Sequence, residues 1–235
     1  MRLPEYVLAL MLLAAGGVAC ADPVDLKPFR AVYNAEWKGM TAASSTVELK
    51  SAGPDTYTYS SVNTARGLFR MAFPDALTQI STFRVTDGRV VPMTFRGIDE
   101  KERPIELAFD WQKKRVTGVA KERNVDLELP DGTQDAMSLQ IASVRNLASG
   151  KLQGTVWMID ATKLKEYELH LEGNARIETE LGELDTVIYV SKRANSDRLT
   201  RTWVAPALGY LPVRAESVRG KKVEVTLLIQ SVDRG

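Results

Sequence analysis

Phe29-Arg30-Ala31-Val32-Tyr33-Asn34-Ala35-Glu36-Trp37-Lys38-Gly39 is the stretch from which the fold is read. Phe29, Ala31, Tyr33, Ala35 and Trp37 share one face of an extended segment, and Arg30, Asn34, Glu36 and Lys38 share the other. This period of two is that of a strand with one buried face, and Gly39 turns the chain. The same rhythm continues outward: Thr41–Ser51, Asp55–Val62, Ala76–Thr86, Arg89–Phe95 and Pro104–Gln112 read as strands. Gly53-Pro54-Asp55 and Asp87-Gly88 read as turns, the latter a tight hairpin because both residues tolerate positive φ. Residues 115–130 read as one long strand or a bent pair. Later strands are Val156–Ile159, Lys165–Glu172, Ala175–Glu180, Thr186–Lys192, Arg198–Val204, Val213–Arg219 and Val223–Ser231. Gly173-Asn174, Leu181-Gly182-Glu183 and Gly220-Lys221 are read as turns between them.

One segment has a different period. Met137, Ile141, Val144 and Ala148 recur at i, i+4, i+7 and i+11, a single helical face. Asp135 stands at the N-cap, Ser138 can reciprocate, and Ser149-Gly150 ends the helix. The spacing predicts a helix over Ala136–Ala148 that covers a core on one side. Strands without βαβ alternation favour antiparallel pairing. The expected fold is therefore all-β and mainly antiparallel: a strongly curved sheet or incomplete barrel with one helix packed on its concave side.

The N-terminus reads differently. Arg2, an apolar run from Tyr6 to Val18 and the small residues Ala19-Cys20-Ala21 have the layout of a secretory signal peptide. The run is short of the roughly 20 apolar residues of a membrane span. Cleavage is expected between Ala21 and Asp22, giving a signal peptide (1–21) and a single β-rich domain (22–235) without cysteine, as suits an oxidising periplasm. Gly17-Val18-Ala19-Cys20 is a degraded lipobox lacking a large aliphatic residue at Gly17, so simple cleavage is preferred over lipidation of Cys20. No later stretch is apolar enough for long enough to span a membrane.

Composition narrows the chemistry. The chain has 235 residues, with Lys+Arg 31 against Asp+Glu 30 and a formal net charge of +1, without the basic excess of a nucleic-acid binder. One cysteine and one histidine leave little for metal, haem or Cys–His chemistry. The sole histidine, His170, alternates onto the polar face with Glu168 and Glu172, while Tyr167, Leu169 and Leu171 alternate inward. No Gly-x-Ser-x-Gly, phosphate loop or dinucleotide fingerprint occurs. Of the carboxylates a hydrolase could use, Asp110 alternates outward and capping explains Asp135. No catalytic residue, metal ligand or cofactor is assigned.

With the helix and C-terminal strands in view, the chain resembles the domain-of-unknown-function 3108 family of exported Gram-negative proteins. The matching pieces are Tyr33–Gly39, Arg89–Phe95, Gln134–Ser138, Thr179–Thr186, Trp203–Pro206 and Tyr210–Arg214, across residues 29–232. The resemblance implies an envelope location and a β-rich fold and brings no known reaction. The expected architecture is similar to that of periplasmic lipoprotein carriers.

Three functions stay open: a non-enzymatic periplasmic protein binding an apolar ligand or an envelope protein partner, an assembly factor acting through its surface, or a carboxylate hydrolase of envelope polymers. For the first, the candidate lining is Tyr33 and Trp37 of the first strand with Met137, Ile141 and Val144 of the helix. The irregular segment Gly67–Pro74, with Leu68, Phe69, Met71 and Phe73, is its candidate rim. It reads either as a connection covering the core or as an apolar lip beside a cavity or a membrane. A cavity of roughly 300 Å³ or more is the requirement for a lipid tail; a filled core is the competing outcome.

Overall fold

The computed structural model describes residues 26–71, 76–98, 103–152 and 154–234. The expected signal peptide, its Ala21/Asp22 cleavage site, Cys20 and Phe73 lie outside these residues. Among the described residues fourteen strands form one sheet: β1 (Phe29–Trp37), β2 (Met40–Gly53), β3 (Thr56–Ala65), β4 (Leu77–Thr86), β5 (Arg89–Ile98), β6 (Pro104–Asp110), β7 (Arg115–Ala120), β8 (Arg123–Glu128), β9 (Gly154–Asp160), β10 (Lys163–Thr179), β11 (Gly182–Arg193), β12 (Arg198–Ala205), β13 (Leu211–Arg219) and β14 (Lys222–Asp233). The one α-helix among the described residues, α1 (Ser138–Ala148), falls between β8 and β9.

The sheet order is β8-β7-β6-β5-β4-β3-β2-β1-β14-β13-β12-β11-β10-β9. Every strand pairs antiparallel with its sequence neighbour, except at the α1 connection, and β14 closes back onto β1. The outer edges are β8 and β9, so the sheet is unclosed. At that seam Gln134 forms a parallel bridge to Met158, and its side-chain Nε2 donates to the Val90 carbonyl at 3.0 Å. The segment leading into α1 thus covers the β9 edge that would otherwise be free to pair.

The sheet must be strongly curved. The helix packs against β4 and β5, and its Leu139, Val144 and Leu147 share a core cluster with Leu169, Tyr189 and Val204. Strands β4 and β12 are six positions apart in the sheet, about 29 Å if flat. A helix about 10 Å across reaches both only if the sheet wraps around it. This corrects the expectation of a helix buried on one side. Ser143 and Arg145 are buried along with Leu139, Ile141 and Val144, because enclosure gives the helix apolar neighbours on opposing faces. Met137 and Ile141 belong to the other, larger core cluster, with Phe83 and Phe95 of the first-half strands and Trp203 and Ile229 of the second.

One local expectation is also corrected. Gly173-Asn174 is no turn: β10 runs through it, and Glu172 is an extra residue where the register shifts between Leu171 and Gly173. Of the two readings of residues 115–130, the pair holds: β7 and β8 form a hairpin turned by Lys121 and Glu122, with φ of 53° and 62°. The expected Asp87-Gly88 hairpin is present, with φ of 51° and 74°.

A candidate binding site on the concave face

Tyr33 sits near the middle of the concave face because β1 alternates without interruption; the extra residues of its pairings lie in β2 and β14. Cross-strand partners share a face, so the inward row through Tyr33 includes Ser45 and Ile229, and the next includes Ala35, Ala43 and Leu227. Where this face meets the helix there is a cavity of about 310 Å³, lined by Tyr33, Tyr59, Tyr167 and Tyr189 of the sheet and by Leu139 and Gln140 of α1. Its walls are apolar, with hydroxyls placed on them. Tyr33 Oη donates to the Pro212 carbonyl at 2.8 Å, and Tyr59 Oη donates to Gln140 Oε1 at 3.4 Å. Burial raises the pKa of Tyr33, Tyr59 and Tyr189, so these hydroxyls stay neutral donors.

One step further along the same strands the concave face opens into a second hollow of about 550 Å³, lined by Ala35, Trp37, Ala43, Phe69, Leu77 and Val225 among others. Small alanines on three adjacent strands leave this space, and the indole of Trp37 meets Phe69 edge-on at 5.9 Å between centroids. From Tyr33 to Trp37 is four residues, about 13 Å along the strand. The two hollows therefore lie end to end on one face. A third, of about 310 Å³, lies beyond the other side of the helix and includes Phe29, Leu49, Ile141 and Val144.

The residues expected to form one site are thus divided. Tyr33 lines the cavity beneath the helix. Trp37 is on the same face but at the open mouth, 39% exposed, where it faces Phe69 and not the helix. Ile141 and Val144 line the hollow beyond the helix, and Met137 is packed into the core at 1% exposure. The expected rim is a 3-10 turn, Gly67–Met71; only its Phe69 turns inward, while Leu68 and Met71 are 84% and 85% exposed. Tyr59 and Tyr189 were missed as lining residues, although Tyr59 already lies in a strand with alternating phase.

The helix that roofs the cavity is fixed by Asp135. Its Oδ1 accepts from the backbone N–H of Met137 and of Ser138, both at 2.8 Å, and Ser81 Oγ donates to its Oδ2 at 2.6 Å. The Asp135 N–H donates back to Ser138 Oγ at 2.9 Å, the reciprocal cap read from sequence. Burial raises the Asp135 pKa, opposed by the hydrogen bonds from Ser81, Ser138 and Met137. At the other end, Gly150 has φ of 68° and Lys151 N donates to the Asn146 carbonyl at 2.7 Å, which ends the helix in a left-handed cap.

Asp110 is partly exposed at the end of β6, and a hydrogen bond from the Lys113 backbone lowers its pKa. Both aspartates considered for hydrolysis are therefore engaged in local structure. His170 is exposed on β10, with Val190 its partner on β11. His170→Ala should change stability by no more than about 0.5 kcal/mol, as read by urea denaturation; a loss above about 1.5 kcal/mol would contradict its placement.

A curved antiparallel sheet around one enclosed helix defines a β-barrel-like protein. Residues 32–226 match the family described as protein of unknown function (DUF3108), and the chain belongs to that family. No curated protein matches the sequence. Among solved structures, the chain is similar to a β-barrel-like protein of domain of unknown function DUF1849 from Brucella abortus. Identity is 12%, TM-score 0.59, with 90% of this chain and 99% of the other covered. Another similar structure is described as an exported protein with a YmcC-like fold from Bacteroides fragilis, with 11% identity, TM-score 0.44 and coverage of 89% and 97%. The Brucella likeness supports the fold alone.

Proposed function

We propose that this is an exported, periplasmic, non-enzymatic protein that binds an apolar ligand on the concave face of its sheet. The observation that carries the reading is the apolar hollow at the mouth, about 550 Å³, continuing toward the cavity under the helix. Its volume lies within the range of small-molecule sites, about 300–1,000 Å³. A sheet packed only for stability would fill such a space with side chains; here Ala35, Ala43 and Ala65 leave it open. Export is supported by the signal-like layout of residues 1–21 and by the lack of cysteine after Cys20. Among the described residues no helix is long and apolar enough to cross a membrane.

Trp37 reports on the hollow directly. Titration with oleate should give a saturable change in tryptophan emission, and Trp37→Phe should remove most of that change while the far-ultraviolet circular dichroism stays the same. The other tryptophans, Trp111, Trp157 and Trp203, are not among the residues lining this hollow and serve as an internal reference. An emission that stays flat with oleate and with phospholipid vesicles would leave the surface-acting reading in its place.

A further inference from the structure

The inward face of β10, β11 and β12 is not apolar where it nears the open end. Strand alternation puts Lys165 and Tyr167 of β10 on one face, opposite Arg193 of β11. Ser191 of β11 pairs with Thr200 of β12, and Arg198 is two residues before Thr200, on the same face. These residues line a polar hollow of about 270 Å³. Three of them, Tyr167, Ser191 and Thr200, also line the cavity beneath the helix, so the two spaces adjoin.

The cations are not there to guard a sheet edge, since β10, β11 and β12 are all paired on both sides, whereas inward charge is a known protection of edge strands. Nor are they fully neutralised. Lys165 is paired with Asp160, and Arg198 lies 3.4 Å from Glu224. Arg193 has no carboxylate partner among the described residues. Burial, then the charges of Arg193 and Lys121, lowers the Lys165 pKa.

The position of this hollow relative to the mouth follows from the pairing. Ser191, Thr200, Ser217, Val225, Trp37 and Met40 form one continuous cross-strand row. Thr200 and Trp37 are three strand spacings apart, about 14 Å. The open end of the sheet therefore has an apolar wall at Trp37 and Phe69 and a cationic wall at Arg193, with the helix-roofed cavity adjoining the latter.

We infer that the ligand is an anionic amphiphile, an acyl chain with a carboxylate or phosphate head, whose head is held by Arg193 with Lys165 and Arg198 while its chain lies along the concave face. This rests on the apolar-ligand reading and names its chemical class. A guanidinium without a carboxylate partner among the described residues can take either head through paired N–H···O bonds, and the hydroxyls of Tyr167, Ser191 and Thr200 can donate to remaining oxygens.

Calorimetric titration of the purified protein with monomeric oleate, oleyl alcohol and inorganic phosphate tests this. Oleate should bind about tenfold or more tightly than oleyl alcohol, as one charge-assisted contact allows. Arg193→Gln should abolish that preference and Arg193→Lys should restore part of it. Arg176→Gln, at an exposed cation on the distal β10–β11 hairpin, should leave it unchanged. Should Arg193→Gln not fold, Arg198→Gln should narrow the preference. Equal affinity for oleate and oleyl alcohol would overturn the anionic head and leave the apolar-ligand reading standing. Absence of binding by both would overturn both. Saturable phosphate binding lost in Arg193→Gln, without any preference for oleate, would assign the hollow to a free anion and overturn the amphiphile.

Discussion

Asp135→Ala should destabilise the protein by about 4 kcal/mol, out of the about 5–15 kcal/mol that holds a domain folded. The carboxylate is wholly buried and accepts three hydrogen bonds, from Met137 N, Ser138 N and Ser81 Oγ. Alanine leaves all three donors without their partner in a place water does not reach, at about 1–3 kcal/mol for each unsatisfied group, with relaxation reducing the sum. Asparagine keeps one acceptor for the two amides and should cost only about 1–2 kcal/mol. Ligand binding should weaken with the alanine variant as well, because Leu139 and Gln140 of the same helix line the cavity.

A pH signature accompanies this. Burial raises the Asp135 pKa above its ordinary 3.8, so the folded chain holds this proton more tightly than the unfolded chain does. Its titration contributes stability below the unfolded value, and that contribution is lost as pH rises through the folded value. The stability of wild type minus that of Asp135→Asn should therefore fall as pH rises above about 4. A flat or rising difference in paired urea denaturations would contradict the buried environment.

Gly118→Ala should have a comparable effect, about 3–5 kcal/mol and roughly a 10 °C lower melting temperature for a chain of this size. Gly118 has φ of 148°, and an added Cβ would lie 1.9 Å from the Glu106 carbonyl oxygen. That overlap is with backbone, so β6 and β7 would have to separate and lose ladder hydrogen bonds, each worth about 1 kcal/mol. Gly39→Ala provides the comparison. Gly39 also has positive φ, 78°, but an added Cβ there meets nothing within 4 Å, so only the backbone cost of about 1–2 kcal/mol remains. Equal losses for the two variants would show that Gly118 is not a point of close approach.

The sheet was legible because period-two alternation is imposed by the pleat itself and survives any curvature. Asp135, Ser138 and Gly150 likewise marked the helix through local chemistry. What the sequence did not display depended on tertiary contact. Lys121-Glu122 turns a hairpin with both residues at positive φ, yet neither carries the glycine or asparagine that would announce it. Gly173-Asn174 carries turn chemistry, but β11 pairs along its length and keeps β10 continuous. Burial on both sides of the helix is a consequence of enclosure, which its own heptads cannot report.

The candidate site was legible only in fragments. Tyr33 was placed by its phase on β1, and Trp37 by the same phase, but the distance of Trp37 from the helix is set by how far β1 extends beyond it. Tyr167 was read as inward, and Lys165 and Arg193 share its phase. Cations on an inward phase read in sequence as breaks in a pattern, and they acquire meaning only once β10, β11 and β12 are seen to adjoin a cavity.

The most direct test is to place the bound chain. Stearate carrying a nitroxide near its methyl end should selectively broaden the backbone amide resonances of Ala35, Ala43 and Ala65, or of Tyr33 and Tyr59 if the tail runs deeper, at substoichiometric ligand. Reduction of the nitroxide with ascorbate should restore them. Broadening confined to exposed positions of the distal β10–β11 hairpin such as Arg176 and Glu183, or none at saturating stearate, would contradict a ligand on the concave face.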